Sequence, residues 1–381
     1  MEYTEDQKIA IEVARGFITK RIEPIASLID EKEEFPLENI REMGKLGLLG
    51  IPYPEQYGGA GLDYVTYSTI IREIARVCAS TAMTVVAHTT LTAYPIFSYG
   101  TEEQKQKYLK PLLDGENIGA FGLTEPNAGS DIAAMETKAV KKDGHYILNG
   151  SKIFITNANV ADTYIVAAKT SPEKGMMGIS LFIFEKSMPG FTLSGKKEKK
   201  LGMKGADTGE LVFQDALVPE KNLLGRKNFG FKLLHDILIS ARIGMAAIAL
   251  GISEGAQKHC LKYVKQRKQF SEYLYHFQSI KNMLADMEMN ISAAELLLQK
   301  AAVMKDDGKD ITKTASEAKL FASEMAMKIT KDAIQIFGGY GYSREFPLER
   351  FFRDAKITEI GDGTSEMQRL IIADEIVKRQ G

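Results

Sequence analysis

Two glycines flank an aspartate near the C-terminal end of the sequence, in the segment Gly361-Asp362-Gly363. A carboxylate that is removed from water becomes more basic, and it can then take a proton from a weakly acidic carbon. The same three residues are also typical of a tight turn, in which aspartate occurs for purely local reasons. Gly-Asp-Gly is therefore predicted to be a turn, and Asp362 is the one side chain in it that could act as an acid or a base.

The composition excludes several classes of protein. A chain of 381 residues is long enough for two or three domains and a large apolar core. Its 49 basic and 50 acidic residues give a formal net charge of -1, which lacks the positive field of a nucleic-acid-binding protein. The one dense basic run, residues 196–200, is predicted to be a solvated loop. We therefore expect no nucleic-acid partner.

The sequence predicts a cytoplasmic protein. Two cysteines are too few for a disulfide framework, which favours a reducing compartment. Residues 1–6 are acidic where a signal or transit peptide is basic. The apolar stretch over residues 243–252 is shorter than a bilayer span. We expect neither export nor membrane insertion.

The spacing of apolar residues divides the chain into three parts. Helical spacing over residues 4–117 is interrupted only by residues 52–61, where prolines and glycines predict a structured loop. Helical spacing returns from Asn228 onward and predicts a bundle. The prediction is a mainly α protein with a central β-domain. Its three domains are an N-terminal helical domain (1–117), a middle β-domain (118–225) and a C-terminal helical domain (226–381).

Short β-branched and aromatic runs predict the strands of the middle domain. These runs are residues 146–149, 153–156, 164–167 and 179–184. Asp143-Gly144 and Asn149-Gly150 are predicted to form turns between them.

Several spaced motifs together resemble the acyl-CoA dehydrogenase family over essentially the whole chain. Residues 121–131 resemble the flavin-binding signature of that family, although their composition is also that of an ordinary turn. Further motifs follow in family order at residues 150–157, 267–270, 335–341 and 350–357. The base-bearing signature of the family is usually Tyr-Glu-Gly-Thr, and here Gly361 and Asp362 replace its first two residues. The resemblance implies a middle β-barrel and a C-terminal four-helix bundle.

The resemblance also implies an FAD cofactor. Within the signature that starts at Phe121, Leu123 and Thr124 resemble the residues that meet the pyrimidine edge of the flavin. Thr156 resembles the residue near the flavin N5 atom. Phe154 stands where family members often cover the ring with tryptophan, and an ordinary strand core residue is the alternative. Ser130 is similar to the residue that contacts the pantetheine or phosphate region of CoA.

A second group of residues resembles the site for the dinucleotide tail. Arg267 offers a planar cation for the pyrophosphate, and Phe270 offers an apolar face for the adenine. The remaining members of this group are Gln278, Gln335, Gly338 and Gly339. In the family these residues come from a neighbouring subunit, so a homotetramer is expected.

Four more residues bear on the site for the dinucleotide tail. Ser271 and Tyr273 depart from the glycine and proline usual in the family, which puts the geometry of their loop in question. Thr364 and Glu366 resemble residues that contact the tail from the C-terminal side, with helix capping as the alternative for Thr364.

The activity implied is α,β-dehydrogenation of an acyl-CoA thioester, in which Asp362 takes the α-proton and the flavin takes the β-hydride. The backbone N–H of the base residue and a ribityl hydroxyl polarise the thioester carbonyl in this family. Some relatives place the base on a helix, immediately before an arginine that matches Arg242 in the substrate site. Here that position is Ala241, which cannot act as a base.

The two departures at Gly361 and Asp362 suggest a bulky substrate. Aspartate withdraws the carboxylate by about 1.5 Å relative to glutamate, and Gly361 removes a wall beside it. The preferred prediction is cyclohexane-1-carboxyl-CoA, which gives cyclohex-1-ene-1-carboxyl-CoA in alicyclic acid metabolism. The alternative is a short straight-chain substrate such as butyryl-CoA.

Three further hypotheses remain open. A 1,4-dehydrogenation of a cyclohexene ring needs another base, and residues 84–94 contain no carboxylate. Nitroalkane oxidation uses an aspartate base in relatives of the family, and an inactive flavoprotein subunit is a third hypothesis. An electron-transfer flavoprotein is the electron acceptor expected from the resemblance.

Overall fold

The N-terminal part of the chain is helical. A computed structural model of the protein describes residues 2–378. Its first helices are α1 (Glu5–Phe17), α2 (Ala26–Lys32), α3 (Leu37–Lys45), α4 (Tyr64–Ala75), α5 (Ala79–Val86), α6 (Tyr94–Tyr99), α7 (Glu102–Gln104) and α8 (Lys110–Leu113). A π-helical segment, Ala87–Ala93, joins α5 to α6.

Local sequence explains where these helices begin. Thr4 precedes α1 and accepts a hydrogen bond from the Gln7 N–H, while the Gln7 side chain accepts one from the Thr4 N–H. This reciprocal pair is a capping box. The predicted loop over residues 52–61 is confirmed, since it contains only the 3₁₀ turn Glu55–Tyr57.

A single eight-stranded sheet forms the middle of the chain. Its strands are β1 (Gly119–Gly122), β2 (Lys138–Lys142), β3 (His145–Thr156), β4 (Thr163–Lys169), β5 (Ile179–Glu185), β6 (Phe191–Leu193), β7 (Thr208–Pro219) and β8 (Leu223–Leu224). Hydrogen-bonded neighbours follow the order β6-β7-β3-β2-β4-β5-β8, and β1 pairs in parallel with β4. A central sheet between helical segments confirms the predicted fold class. The division at residues 117 and 225 stays a prediction, and its ends at Met1 and at 379–381 lie outside the described residues.

The two predicted turns have different outcomes. Asp143 and Gly144 both have positive φ and connect β2 to β3 as a two-residue hairpin, so this prediction is confirmed. The turn at Asn149-Gly150 is wrong, because both residues lie inside the single long strand β3. The register against β7 shifts at this point, and Gly150 has φ 146. Glycine here marks a strand irregularity rather than a chain reversal.

The C-terminal part is a helical bundle. Its elements are α9 (Gly230–Val264), the hairpin β9 (Lys268–Gln269) and β10 (Glu272–Tyr273), α10 (Gln278–Asp306), α11 (Thr312–Phe337), α12 (Gly339–Tyr342), α13 (Leu348–Ala355) and α14 (Ser365–Lys378). Helix α11 packs against α9, α10 and α14. The chain between α13 and α14 forms the 3₁₀ turn Lys356–Glu359 and then the turn that carries the candidate base.

Helix α9 is long and apolar enough, by length and composition, to cross a membrane. The prediction that its apolar stretch is too short for a span was therefore wrong. Most of the apolar window is nevertheless buried inside the protein, where α4, α10 and α11 pack against the helix. In this fold α9 is a core helix.

Close approach of α4 to α9 depends on two glycines. A Cβ atom at Gly251 would lie 2.3 Å from the Arg72 carbonyl oxygen, and one at Gly255 would lie 2.4 Å from the Arg76 carbonyl oxygen. Both contacts are with backbone, which cannot rotate away. The two helices therefore meet at a distance that a larger residue would prevent, and this contact fixes the position of α9 against the N-terminal helices.

We predict that Gly251→Ala destabilises the protein by about 1–3 kcal/mol, because the methyl group overpacks a backbone contact. Thermal unfolding should show a lower Tm. The matched control is Gly16→Ala in α1, where no atom lies within 4 Å of the added Cβ. An unchanged Tm for Gly251→Ala would contradict the packing argument.

Candidate active site

The turn between residues 360 and 364 presents the candidate base. Asp362 has φ 53 and Gly363 has φ 95, so two successive residues adopt left-handed backbone conformations. Aspartate tolerates this region better than most side chains. The Gly361 N–H donates to the Ile357 carbonyl at 2.8 Å. The Asp362 N–H makes no hydrogen bond within residues 2–378, so it remains free to donate to a ligand.

Three helices bring ionisable groups to Asp362. Burial raises the pKa of the Asp362 carboxyl, while the positive charges of Lys319 on α11 and Arg242 on α9 oppose that rise. Burial also raises the pKa of Tyr67 on α4, and the charge of Asp362 contributes in the same direction. Asp362 thus has the conformation of a turn residue, and its carboxylate lies near enough to two buried cations to feel their charges.

Arg242 is a buried cation with spare donor capacity. Its side chain is 5% exposed, and its Nη1 donates to the Ser316 hydroxyl at 3.2 Å. Its Nε atom has no partner among the described residues. Burial lowers the pKa of Arg242 to about 10, against the opposing charge of Asp362. The adjoining Ala241 is fully buried and apolar, so the alternative base position of the family carries no acid–base group.

Lys319 was missed by the sequence analysis. It is fully buried on α11, and its Nζ donates to the Gly363 carbonyl at 2.7 Å. The signal in the sequence was a lysine at helical spacing from Ala315 and Ala322, on the apolar face of α11. A charged residue on such a face needs a specific partner, but the sequence does not show which one.

The predicted flavin residues of the middle domain come together. Phe154 is 62% exposed and has φ 57, and it lies at the register shift of β3 between Lys152 and Ile155. The Ile153 N–H donates to the Thr124 carbonyl at 2.9 Å, which places the loop after β1 beside this irregularity. A strained, exposed aromatic residue in a strand is typical of a ligand-binding position.

Two threonines close to Phe154 in the strand and its neighbouring loop have hydroxyls without a partner. The side chains of Thr124 and Thr156 are partly exposed and form no hydrogen bond within the described part of the chain. Leu123 precedes Thr124, and its carbonyl accepts from the Lys152 Nζ at 3.1 Å. Lys152 in turn forms a buried ion pair with Glu125 at 2.7 Å. This pair fixes the loop, and the unpaired threonine hydroxyls fit a polar, planar ligand.

The residues predicted to bind the dinucleotide tail form a second group, which begins just beyond the C-terminal end of α9. The guanidinium of Arg267 lies 5.5 Å from the centre of the Tyr340 ring, which joins the end of α9 to the region after α11. Phe270 is 90% exposed, and Gln278 and Gln335 are also exposed. No atom lies within 4 Å of a Cβ built at Gly338 or Gly339, so the surface beside them is open.

These two groups do not meet within one chain. No hydrogen bond, ion pair or ring contact joins the second group to Thr124 or Phe154 among residues 2–378. A ligand bound to both groups would therefore need contributions from more than one subunit or a long extended shape.

The remaining predicted site residues have ordinary roles in the structure. Thr364 caps α14, since its hydroxyl accepts from the Met367 N–H at 3.3 Å, which is the alternative proposed for it. Glu366 is exposed in the first turn of α14, and Ser130 is exposed in the loop after β1. Phe121 is buried in β1. No contact in the structure tests a ligand role for these residues.

Comparison with known proteins identifies relatives over the whole chain. Three models of one family match: the acyl-CoA dehydrogenase N-terminal domain over residues 4–116, the middle domain over 120–216 and the C-terminal domain over 228–377. The short-chain-specific acyl-CoA dehydrogenase of Clostridium acetobutylicum is 49% identical over 375 residues, which cover 98% of this chain and 99% of that protein.

Solved structures agree with this result. The butyryl-CoA dehydrogenase of Megasphaera elsdenii has a TM-score of 0.97 and 47% identity, with 99% of both chains covered. A chain from a structure described as the electron transferring flavoprotein of Acidaminococcus fermentans has the same TM-score of 0.97, the same 47% identity and the same 99% coverage of both chains.

Proposed function

This chain belongs to the acyl-CoA dehydrogenase family, and from that membership we propose that Asp362 removes the α-proton of a short-chain acyl-CoA thioester. Enzymes of this family are flavin-dependent oxidoreductases, and this one uses FAD, which accepts the β-hydride when it is bound. The observation that carries the assignment of Asp362 is its half-buried carboxylate, which lies near two buried cations on a turn with a free N–H.

Asp362 can supply two functions from one residue. Its carboxylate accepts the proton, since burial raises its pKa and its basicity, and the charges of Lys319 and Arg242 oppose that rise. Its unpaired backbone N–H donates to the thioester carbonyl oxygen, and this polarises the bond and acidifies the α-carbon. Because one residue carries both groups, the carboxylate that takes the proton and the N–H that polarises the carbonyl lie in a fixed geometry relative to each other.

The chain offers suitable groups for FAD. In this proposal the Thr124 and Thr156 hydroxyls and the main chain of Leu123 hold the flavin ring, and Phe154 covers it. Their free donors and the exposed aromatic face support this assignment. Phe121 and Ser130 lie in the same segment and are kept as contacts of the cofactor and of the CoA moiety.

The dinucleotide tail is assigned to a neighbouring subunit. The residues are Arg267, Phe270, Gln278, Gln335, Gly338 and Gly339, with Thr364 and Glu366 on the C-terminal side. The absence of a hydrogen bond, ion pair or ring contact with the ring-binding group in the described chain, together with the 90% exposure of Phe270, supports a shared site. We propose a homotetramer for this reason.

A short straight acyl group is the first choice of substrate. Two of the relatives carry short-chain-specific or butyryl-CoA names, which favours the alternative considered above over an alicyclic acid. The structure adds a physical reason. A Cβ at Gly361 would lie 3.1 Å from the Cε of Met245, which is fully buried. The methyl group of Met245 therefore fills part of the space that the missing tyrosine would leave open.

Cyclohexane-1-carboxyl-CoA is the second candidate. It is favoured by the shorter base and by the absence of a side chain at Gly361. Met245 is unbranched and flexible, so its methyl group can yield to a bulky α-carbon. The two candidates differ in whether Met245 stays in place when substrate binds.

The electron acceptor and the location of the enzyme are also proposals. A chain in the electron transferring flavoprotein structure shares 47% identity with this one, which supports an electron-transfer flavoprotein as the acceptor. The two buried, free cysteines fit a reducing cytoplasm.

Asp362→Asn should lower the rate of flavin reduction by an acyl-CoA by about 10²–10⁴-fold, because it keeps the shape and loses the basicity. The FAD content should stay parental. In the parent, the rate should fall as the pH falls through the pKa of Asp362, which burial places above the ordinary aspartate value of about 4. Glu324→Gln, which removes a carboxylate paired with Arg369 at the surface, is the control. Parental rates in Asp362→Asn would show that the base lies elsewhere.

The purified enzyme should carry one FAD per chain in a homotetramer. Arg267→Ala should release FAD, since the proposed pyrophosphate contact is lost, and light scattering should still show the tetramer. Absorbance of the flavin against protein concentration measures the loading. A monomer that retains FAD tightly would be incompatible with a site shared between subunits.

The substrate proposal is tested by kcat/KM for butyryl-CoA and for cyclohexane-1-carboxyl-CoA. A parental ratio in favour of butyryl-CoA is expected. The double variant Gly361→Tyr, Asp362→Glu should shift the ratio further in that direction and non-additively, because both residues shape one wall. If the parent enzyme prefers cyclohexane-1-carboxyl-CoA and the double variant loses that preference, the second candidate is the substrate.

A further inference from the structure

Lys319 has an environment that is unusual for a lysine. It is 0% exposed in the N-terminal half of α11, and no carboxylate among the described residues lies within 4.0 Å of its Nζ. Its one hydrogen bond is to the Gly363 carbonyl, at 2.7 Å. Burying an ammonium group without an ion-pair partner is costly, so such a residue needs a compensating role.

Another fully buried lysine of the chain provides a comparison. Lys152 is also 0% exposed, but it forms an ion pair with Glu125 at 2.7 Å. That pairing is the ordinary way to retain a lysine in a protein core. Lys319 instead directs its charge at a backbone carbonyl next to the candidate base.

The Gly363 carbonyl is held from two sides. Besides Lys319, the Gln368 Nε2 on α14 donates to it at 2.9 Å, and Gln368 is fully buried. Both lone pairs of this oxygen are therefore occupied by buried donors from different helices. Gly363 itself and the preceding Asp362 have left-handed backbone conformations, which persist only where the surroundings fix them. The two hydrogen bonds supply that constraint.

Lys319 also acts on Asp362 through its charge. The groups that face Asp362 are Lys319 from α11, Arg242 from α9 and Tyr67 from α4. The Lys319 and Arg242 charges lower the pKa of Asp362 against the effect of burial. Burial lowers the pKa of Lys319 itself to about 8, and the nearby carboxylates Asp362, Glu359 and Glu366 oppose this shift. Burial and the charge of Arg242 thus disfavour the charged form of Lys319, and the carboxylates favour it.

We propose that Lys319 is a positioning residue for the base: its ammonium fixes the Gly363 carbonyl and keeps Asp362 ionised, ready to accept a proton, before substrate binds. The inference rests on the proposed role of Asp362. It assigns two separable effects to one side chain, a hydrogen bond that sets the turn and a charge that sets the ionisation of the carboxylate.

The two effects predict different results for two substitutions. Lys319→Met removes both the donor and the charge, whereas Lys319→Gln keeps an amide donor on a shorter side chain and removes only the charge. The loss of a nearby positive charge raises the pKa of a carboxylate by about 1 unit or more. The acidic limb of the pH profile should then move to higher pH in both variants.

The test uses the FAD-loaded enzyme and butyryl-CoA in rapid-mixing experiments across pH. In Lys319→Met the midpoint of the acidic limb should rise by about 1 pH unit, and the rate on the plateau should fall at least tenfold because the turn is no longer fixed. In Lys319→Gln the midpoint should rise with a smaller loss on the plateau. FAD content and Tm, measured in parallel, report folding separately from the base.

Ser323→Ala is the matched control. Ser323 lies one turn further along α11, is fully buried, and donates to the Thr358 carbonyl at 2.8 Å, but it carries no charge. The midpoint of the acidic limb in Ser323→Ala should equal that of the parent enzyme. A Lys319→Met enzyme that folds, holds FAD and keeps the parental midpoint and plateau would overturn the inference. If Lys319→Met does not fold, the inference is overturned by a Lys319→Gln enzyme whose acidic limb keeps the parental midpoint.

The failure of this inference can be distinguished from the failure of the proposed function. If Asp362→Asn loses the reaction while both Lys319 variants keep the parental pH profile, Asp362 is the base and only the role of Lys319 is wrong. If Asp362→Asn keeps the parental rate, the assignment of the base fails and the inference fails with it.

Discussion

A carboxylate that is removed from water needs opposite charges nearby if it is to stay ionised, and this requirement governs the site around Asp362. The two cations come from different helices, Arg242 from α9 and Lys319 from α11, and both are buried. Each cation is costly to bury, and the half-buried carboxylate of Asp362 lies near both, so the opposite charges offset part of that cost. The turn, the two helices and the ionisation of the candidate base therefore depend on one another.

The long core helix α9 is what brings these charges to one place. Its glycines at 251 and 255 let α4 approach to backbone contact, and its other faces pack on α10 and α11. Arg242 is thereby held inside the protein with one donor paired to Ser316 and one free. A helix with the composition of a membrane span serves here as the rigid support of a polar site, since its apolar surface is covered by neighbouring helices.

The residues proposed to bind the flavin ring show a different use of the scaffold. The loop after β1 is held by the buried Lys152–Glu125 pair and by the bond from Ile153 to Thr124, so Phe154 and the threonine hydroxyls stand on a rigid sheet. The residues proposed for the dinucleotide tail lie at helix ends and on a hairpin, with the Phe270 ring almost wholly exposed. In the proposed arrangement the two groups belong to different subunits, so cofactor binding would depend on assembly.

Much of this followed from the sequence, since motifs and apolar spacing are local properties. They gave the order of helical and β segments, the hairpin at Asp143-Gly144, and Asp362 as the only carboxylate at either family position for the base. The turn expected at Asn149-Gly150 failed because pairing with β7 continues β3 through a register shift, which local residue preference does not encode. Lys319, Met245 and the free N–H of Asp362 were decided by tertiary structure alone. Their roles depend on distances between elements that are remote in the chain, and burial on α11 places the charge of Lys319 close to the candidate base.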